Sequence, residues 1–168
     1  MSLLFKRLFL FLLAVVPAAL TAQAQPSAME QQVMEAVKSP EVTIVHFWAP
    51  WCPNCHAEMA PAGWAAFIAA NPQVKFIFIN FWHRGLDPAP RLKAAELGAQ
   101  PNLTLLTHPL APSSGDGRAK DFLGFPVIWL PTTWVYRDGK QRFALNYGEI
   151  RFPMLQQLID DTREKWKH

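Results

Sequence analysis

The feature that most constrains the fold is the position of the two cysteines, which are the only two among the 168 residues of the chain. Cys52 and Cys55 closely follow residues 42–48, an apolar and β-branched segment that predicts a buried strand. Ala49-Pro50-Trp51 leaves room for only a tight connection, and Pro53 is favoured at the first position of a helix. The sequence therefore predicts a strand, a tight link and a helix that begins at Cys52.

The spacing of the two cysteines indicates that they serve chemistry rather than stability. A bridge between them closes a loop too short to restrict the unfolded chain appreciably, and exported domains stabilised by disulfides usually contain several. The start of a helix stabilises a thiolate through its dipole and free N–H groups. We predict that Cys52 attacks a substrate disulfide and that Cys55 resolves the mixed disulfide; the same steps in reverse would donate a disulfide.

The first 24 residues have the pattern of an export signal. Basic residues at 6–7 precede an apolar run at 8–16, and the small residues at 22–24 suit a signal peptidase. The apolar run is shorter than the roughly 20 residues that span a bilayer. We expect cleavage after Ala24, which leaves a single domain at 25–168 in the periplasm. An uncleaved segment that anchors the protein to the inner membrane is the alternative.

The charge of the domain is nearly balanced once the signal is removed. The whole chain has 16 basic and 13 acidic residues, and cleavage leaves 14 basic and 13 acidic ones. This balance does not favour binding to nucleic acid or to an anionic membrane surface. The remaining length suits one domain with one core, and we expect a monomer.

The rest of the chain alternates between patterns typical of helices and of strands. The predicted elements are a helix at 28–38, strands at 42–48 and 74–81, helices at 52–70 and 91–98, a short strand at 103–106, a helical turn from Asp116 to Leu123, strands at 132–136 and 141–147, and a last helix at 152–166 with Leu155, Leu158, Ile159 and Thr162 on one face. Arg137-Asp138-Gly139-Lys140 predicts a hairpin between the last two strands. The first two strands are joined through a helix and should therefore be parallel, whereas the last two form an antiparallel hairpin. Together they predict an α/β fold with a mixed sheet and helices on both faces.

Three segments resemble the thioredoxin-fold oxidoreductases. Residues 46–55 read His-Phe-Trp-Ala-Pro-Trp-Cys-Pro-Asn-Cys, like the active-site segment of that family. Leu130-Pro131-Thr132-Thr133 resembles its cis-proline loop, and the Asp-Gly hairpin resembles its last two strands. The resemblance covers residues 40–165. With the export signal and an insertion at about 99–126 before the cis-proline strand, the chain looks most similar to the TlpA/ResA/CcmG (DsbE) group.

This resemblance implies a thioredoxin fold and an exported thiol–disulfide oxidoreductase that acts on cysteine-containing substrate proteins. The resemblance to this group implies a reductase that needs no cofactor and receives its electrons from a membrane thiol relay of the DsbD/CcdA kind. Some members of the group serve cytochrome c maturation. The alternative is a DsbA-like disulfide donor or isomerase. Pro53 and Asn54 between the cysteines match neither the Gly-Pro of thioredoxin nor the Pro-His of DsbA, so the direction stays open.

The resemblance also assigns supporting residues around the cysteines. Trp51 would shield the disulfide and contact substrate, and Pro131 would be a cis-proline beside it. Glu58 would tune the pKa values of the cysteines, unless it is a solvated helix residue. His46 occupies the place of a buried aspartate in thioredoxins, so it is either a proton carrier or a hydrogen-bonded core histidine. Pro61 should kink the active-site helix.

The segment before the cis-proline predicts a substrate groove. Leu130 and Thr132 would border it. The apolar run from Phe122 to Leu130 either widens this groove or forms an ordinary buried connection.

Binding of haem or metal offers alternative functions. Residues 52–56 match the haem-attachment pattern Cys-x-x-Cys-His, but the flanking segments favour a redox fold. Two cysteines and a histidine would suit a copper(I) carrier, although copper carriers of this fold resemble Cys-x-x-x-Cys-Pro. No second Cys or His pair has the spacing of a structural zinc site, and we predict no metal.

Overall fold

The computed structural model describes residues 25–60, 63–109, 119–146 and 148–164. Its elements are α1 (Ala28–Val37), β1 (Thr43–Trp48), α2 (Pro53–Glu58), α3 (Trp64–Ala70), β2 (Lys75–Asn80), α4 (Ala89–Ala94), β3 (Leu103–Thr107), β4 (Asp121–Phe122), β5 (Phe125–Pro126), β6 (Thr132–Arg137), β7 (Lys140–Leu145) and α5 (Phe152–Arg163). The predicted export signal, the kink at Pro61 and the start of the turn at Asp116 lie outside the described residues. Within those ranges, no helix combines the length and apolar character that crossing a membrane requires.

The main sheet is mixed, as predicted. Its strand order is β3-β2-β1-β6-β7. β1 is parallel to β2, and β2 is parallel to β3, whereas β6 is antiparallel to both β1 and β7. All six residues of the central strand β1 are buried, which explains why all of them except His46 are apolar or β-branched.

Alternating side chains of β1 divide the core into two layers. Ile44 and Trp48 pack with α3 and α5, while Val45 and Phe47 pack with α1 on the opposite face. The face predicted for the last helix is largely confirmed: Leu155, Ile159 and Thr162 are buried, and Leu158 is partly exposed. The cysteines belong to the α3–α5 side of the sheet.

The predicted helix at 52–70 is instead two helices, α2 and α3. α2 ends at Glu58, and Gly63 precedes α3. The backbone at Gly63 comes so close to the carbonyl of Glu58 that a β-carbon there would overlap it. Only glycine therefore allows the backbone to approach the Glu58 carbonyl this closely. The Ala-rich composition, which predicted a continuous helix, gives no sign of this break.

The predicted helical turn that reaches Leu123 is wrong in its described part, where the hairpin β4–β5 lies instead. Leu123 and Gly124 form its tip with positive φ values of 55° and 76°. Such values at two central residues are typical of tight hairpin turns. The Leu123 N–H donates to Glu30 Oε1 of α1 at 3.0 Å, which fixes the hairpin on the helix. The predicted insertion at 99–126 thus supplies this hairpin and the edge strand β3.

Candidate active site

The two cysteines form a disulfide at the start of α2. Their Cα atoms are 5.3 Å apart. Cys52 is the N-cap residue, its Sγ accepts a hydrogen bond from the Cys55 N–H at 3.2 Å, and Pro53 occupies the first turn as predicted. Cys52 is 3% exposed and Cys55 is fully buried. The central strand and the Ala49–Trp51 link thus position the disulfide at the C-terminal end of β1.

The cis-proline loop lies beside this end of β1. The Leu130–Pro131 peptide bond is cis, as predicted. Because β6 runs antiparallel to β1, with Thr132 opposite Phe47, the start of β6 meets the end of β1. This pairing brings Pro131 to the same edge of the sheet as the disulfide.

A cleft of about 480 Å³ opens beside Cys52. Its lining residues are Trp51, Cys52, Pro53, Asn54, Trp82, Ile128, Trp129 and Leu130. The cleft brings together five of the predicted site residues. Thr132 does not line it, contrary to the prediction, because Thr132 is buried and its hydroxyl donates to the Trp129 carbonyl at 2.9 Å. The apolar run before the cis-proline is divided: Phe122 and Val127 are core, whereas Ile128 and Trp129 face the cleft.

The loop after β2 holds Trp51 in place. The Trp51 indole N–H donates to the Trp82 carbonyl at 2.5 Å, and the Arg84 guanidinium lies 3.9 Å from the centre of the Trp51 ring. Trp82 and Arg84 both have positive φ, near 52° and 55°. Sequence reasoning missed Arg84 because no motif connects this distant loop to the cysteines.

Glu58 and His46 form a buried pair behind the disulfide. Glu58 Oε2 accepts a hydrogen bond from the Trp64 indole at 3.1 Å, and Oε1 accepts one from the Ile150 N–H. His46 Nδ1 is 2.9 Å from Thr133 Oγ1. His46 Nε2 is 3.3 Å from Glu58 Oε2, at an angle outside that of a hydrogen bond. The interpretation of Glu58 as a solvated helix residue is therefore wrong, and His46 is a core histidine bonded through Nδ1.

Burial determines the charges of this pair. Loss of solvent raises the pKa of Glu58 to about 7, and the negative charge of Glu149 adds to this, while the bonds from Ile150 and Trp64 oppose it. Loss of solvent lowers the pKa of His46 to about 3. These shifts keep His46 uncharged near neutral pH and make Glu58 hold its proton to a higher pH than an exposed glutamate does. Glu58 also lines a cavity of about 20 Å³ with Pro131 and Glu149.

Metal-binding geometry is not found in the part of the chain that the structure describes. No three His, Cys, Asp or Glu side chains there are grouped as ligands. His56, part of the Cys-x-x-Cys-His pattern, has its Nε2 2.5 Å from the Pro50 carbonyl.

Comparison with known proteins agrees with this geometry. The family model of the thioredoxin-like domain matches residues 29–163. The fold, the family and the Cys52–Cys55 disulfide define a thiol–disulfide oxidoreductase of the thioredoxin-like type. The chain belongs to the thioredoxin-like family.

Three solved structures illustrate the likeness of the fold. A secreted Mycobacterium tuberculosis disulfide oxidoreductase homologous to E. coli DsbE is 24% identical, with a TM-score of 0.52 over 75% of this chain and 85% of that one. StoA from Bacillus subtilis is 18% identical, with a TM-score of 0.50 over 71% and 83%. A thiol-disulfide isomerase from Corynebacterium glutamicum is 16% identical, with a TM-score of 0.52 over 79% and 86%. No match was found among curated protein sequences.

Proposed function

We propose that the protein is an exported reductase of disulfides in cysteine-containing substrate proteins. The observation that carries the disulfide exchange is the asymmetry of the cysteine pair, while the reductase direction rests on the resemblance to the TlpA/ResA/CcmG group. Cys52 lines an open cleft, whereas Cys55 is fully buried and lies further into α2. This difference in access supports Cys52 as the sulfur that meets a substrate and Cys55 as the sulfur that then attacks Cys52.

Two exchange steps follow from this arrangement. In the reduced protein the Cys52 thiolate attacks one sulfur of a substrate disulfide, so a mixed disulfide forms and the first substrate thiolate leaves and takes up a proton. Cys55 then loses its proton and attacks Cys52 Sγ, which releases the second substrate thiolate and closes the Cys52–Cys55 disulfide. The substrate gains two electrons and two protons, and the protein loses them. An external dithiol must reduce the protein before the next cycle.

The proton lost by Cys55 needs an acceptor, and we assign this role to Glu58. Glu58 lies three residues after Cys55, which places both on one side of α2. Because its pKa is raised to about 7, Glu58 can accept and release a proton near neutral pH. The pKa of His46, lowered to about 3, makes it a much weaker base, so we propose that His46 orients Glu58 instead. The cavity of about 20 Å³ beside Glu58 has room for about one water as a route to solvent.

The location and partners are further parts of the proposal. The pattern at 1–24 supports export, as does the description of one similar protein as a secreted disulfide oxidoreductase. We propose a membrane thiol relay of the DsbD/CcdA type as the electron source and the haem-attachment cysteines of apocytochrome c as one substrate. Exchange between sulfur atoms requires no cofactor.

Two matched single-cysteine variants of the full chain test the order of attack. Reduced Cys55→Ser protein should accumulate a mixed disulfide with a Ser-x-x-Cys-His peptide whose single cysteine is activated as a mixed disulfide with thionitrobenzoate, because neither the protein nor the peptide then holds a second thiol to resolve it. Cys52→Ser protein should accumulate far less, since Cys55 is buried. Mass spectrometry under non-reducing conditions measures both adducts. Equal accumulation in the two variants, or none in either, contradicts the proposal.

A further inference from the structure

A second pocket, of about 420 Å³, opens beside the link that leads to Cys52. Among the described residues, it shares no lining residue with the cleft. The pocket is lined by Pro50, Leu86, Asp87, Pro90, Arg91 and Ala94. Pro50 and Cys52 are two residues apart in the chain, so their Cα atoms are at most about 7 Å apart. A polypeptide bound in this pocket can therefore reach Cys52 with a few extended residues.

Most of the pocket wall is apolar. Leu86 is 46% exposed, and Pro50, Pro90 and Ala94 add further apolar surface. The Leu86 N–H donates to the His83 carbonyl at 2.9 Å, which fixes the bend of the loop between β2 and α4. Leu86 is thus held at the surface, where an apolar side chain of a partner can pack against it and leave water.

Two arginines give the rim of this pocket a positive charge. Arg91 lines the pocket, and the Arg84 guanidinium lies over the ring of Trp51, the residue next to Pro50. Within the described part of the chain, neither arginine forms an ion pair. The carboxylate of Asp87 also lines the pocket, but its Oδ1 already accepts a hydrogen bond from the Ala89 N–H at 2.9 Å. The permanent charge of the two guanidinium groups therefore favours a carboxylate on the partner.

We propose that this pocket binds an acidic segment of a protein partner that exchanges disulfides with Cys52. An apolar side chain of the segment packs against Leu86, and a neighbouring Glu or Asp pairs with Arg91 or Arg84. The inference rests on the proposed function, because the segment must bring its own cysteine to Cys52. It adds a preference for acidic partners, which the described residues of the cleft cannot provide, since none of them is charged.

Two peptides that differ only in charge test this inference. Each has a single cysteine, held as a mixed disulfide with thionitrobenzoate, and on both sides a leucine followed by glutamates or by glutamines about three residues away. Exchange with the reduced full chain releases the coloured thiolate. At about 20 mM ionic strength we expect the glutamate peptide to react about fivefold faster, as one or two exposed ion pairs allow. In about 0.5 M salt this preference should fall to about twofold or less.

Variants of the pocket show whether the preference arises there. Arg91→Gln and Arg84→Gln should each reduce it to about twofold. Arg142→Gln removes the same charge from an exposed position of β7 outside the pocket, so it should keep the full preference. Leu86→Ser should slow both peptides about threefold and leave their ratio unchanged, because it removes only apolar contact. Unchanged circular dichroism and thermal midpoints verify that the variants fold.

The outcomes separate this inference from the proposed function. The mixed disulfide of free cysteine with thionitrobenzoate reports the reactivity of Cys52 without any contact to the pocket. If that compound reacts but the two peptides have equal rates, or if Arg142→Gln loses as much preference as Arg91→Gln, binding of an acidic segment at the pocket is wrong. If the reduced protein releases no thiolate even from the free cysteine compound, the proposed function fails and the inference fails with it.

Discussion

Glu58 and His46 are predicted to cancel each other's effect of pH on folding stability. Their ordinary pKa values are 4.5 and 6.5, and burial moves them to about 7 and about 3. Between pH 4.5 and 6.5 the folded pair therefore holds one proton, on Glu58, and the unfolded pair also holds one, on His46. With equal proton counts, the joint contribution of the pair to the free energy of unfolding stays constant in this window.

Glu58→Gln should expose the contribution of His46. The pKa of His46 is depressed on folding, so its contribution to stability is complete above about pH 6.5 and is lost as the pH falls toward about 3. Relative to the wild type, the variant should gain up to about 1.4 kcal/mol per pH unit, or about 2 kcal/mol in total, as the pH rises from 4.5 to 6.5.

His46→Phe should expose the opposite contribution of Glu58. The pKa of Glu58 is raised on folding, so its contribution to stability is complete below about pH 4.5 and is lost as the pH rises toward about 7. This variant should lose about 2 kcal/mol relative to the wild type across the same window. Phenylalanine retains a ring beside Trp64 and Phe78, whose centroids lie 4.6 and 4.7 Å from that of His46.

Denaturant unfolding of the oxidised full chain at several pH values measures these slopes. Tryptophan fluorescence follows the transition, and subtraction of the wild-type curve removes the groups that all three proteins share. Each substitution also changes hydrogen bonds to Trp64 or Thr133. This change alters the free energy of unfolding by the same amount at every pH, so it does not affect the slope. Two flat difference curves, or two slopes of the same sign, would refute the account of Glu58 and His46 as a buried, neutral pair.

Other predictions concern the rim of the cleft and the break between α2 and α3. Arg84→Gln should lower the free energy of unfolding by about 1 kcal/mol, because it removes the cation over the Trp51 ring, and Arg84→Lys, which keeps a cation, should lose less. Equal losses in the two variants, measured by denaturant titration, would exclude a cation–π contribution. Gly63→Ala should lower the free energy of unfolding by roughly 3 kcal/mol, since its β-carbon meets the Glu58 carbonyl. Gly85→Ala, where only the positive φ of 71° is unfavourable, should cost about 1 kcal/mol. Denaturant titration compares the two variants, and similar losses would contradict the overlap.

The sequence predicted the elements whose signals are local. The strand before Cys52 is buried along its whole length, so its composition alone reveals it. Pro53 indicates the start of α2, and Asp138-Gly139 indicates the hairpin between β6 and β7. In each case the pattern of a few neighbouring residues determines the structure.

Features that depend on distant contacts were not predicted. The hairpin tip at Leu123 is bonded to Glu30, which is 93 residues away, and this bond opposes the predicted helical turn. The sequence left two interpretations of Glu58 open, and the choice between them depends on its burial, where the N–H of Ile150, 92 residues away, donates to its carboxylate. The break at Gly63 depends on a close approach of the backbone rather than on hydrophobic periodicity.

The reduction potential of the Cys52–Cys55 pair tests the central claim most directly. Equilibration of the full chain in defined thiol–disulfide buffers, followed by alkylation of free thiols, gives the value. A potential near or below about −220 mV, toward thioredoxin and the glutaredoxins, is the result expected of a reductase. A potential near about −120 mV, toward DsbA, would contradict the account and make the protein a disulfide donor.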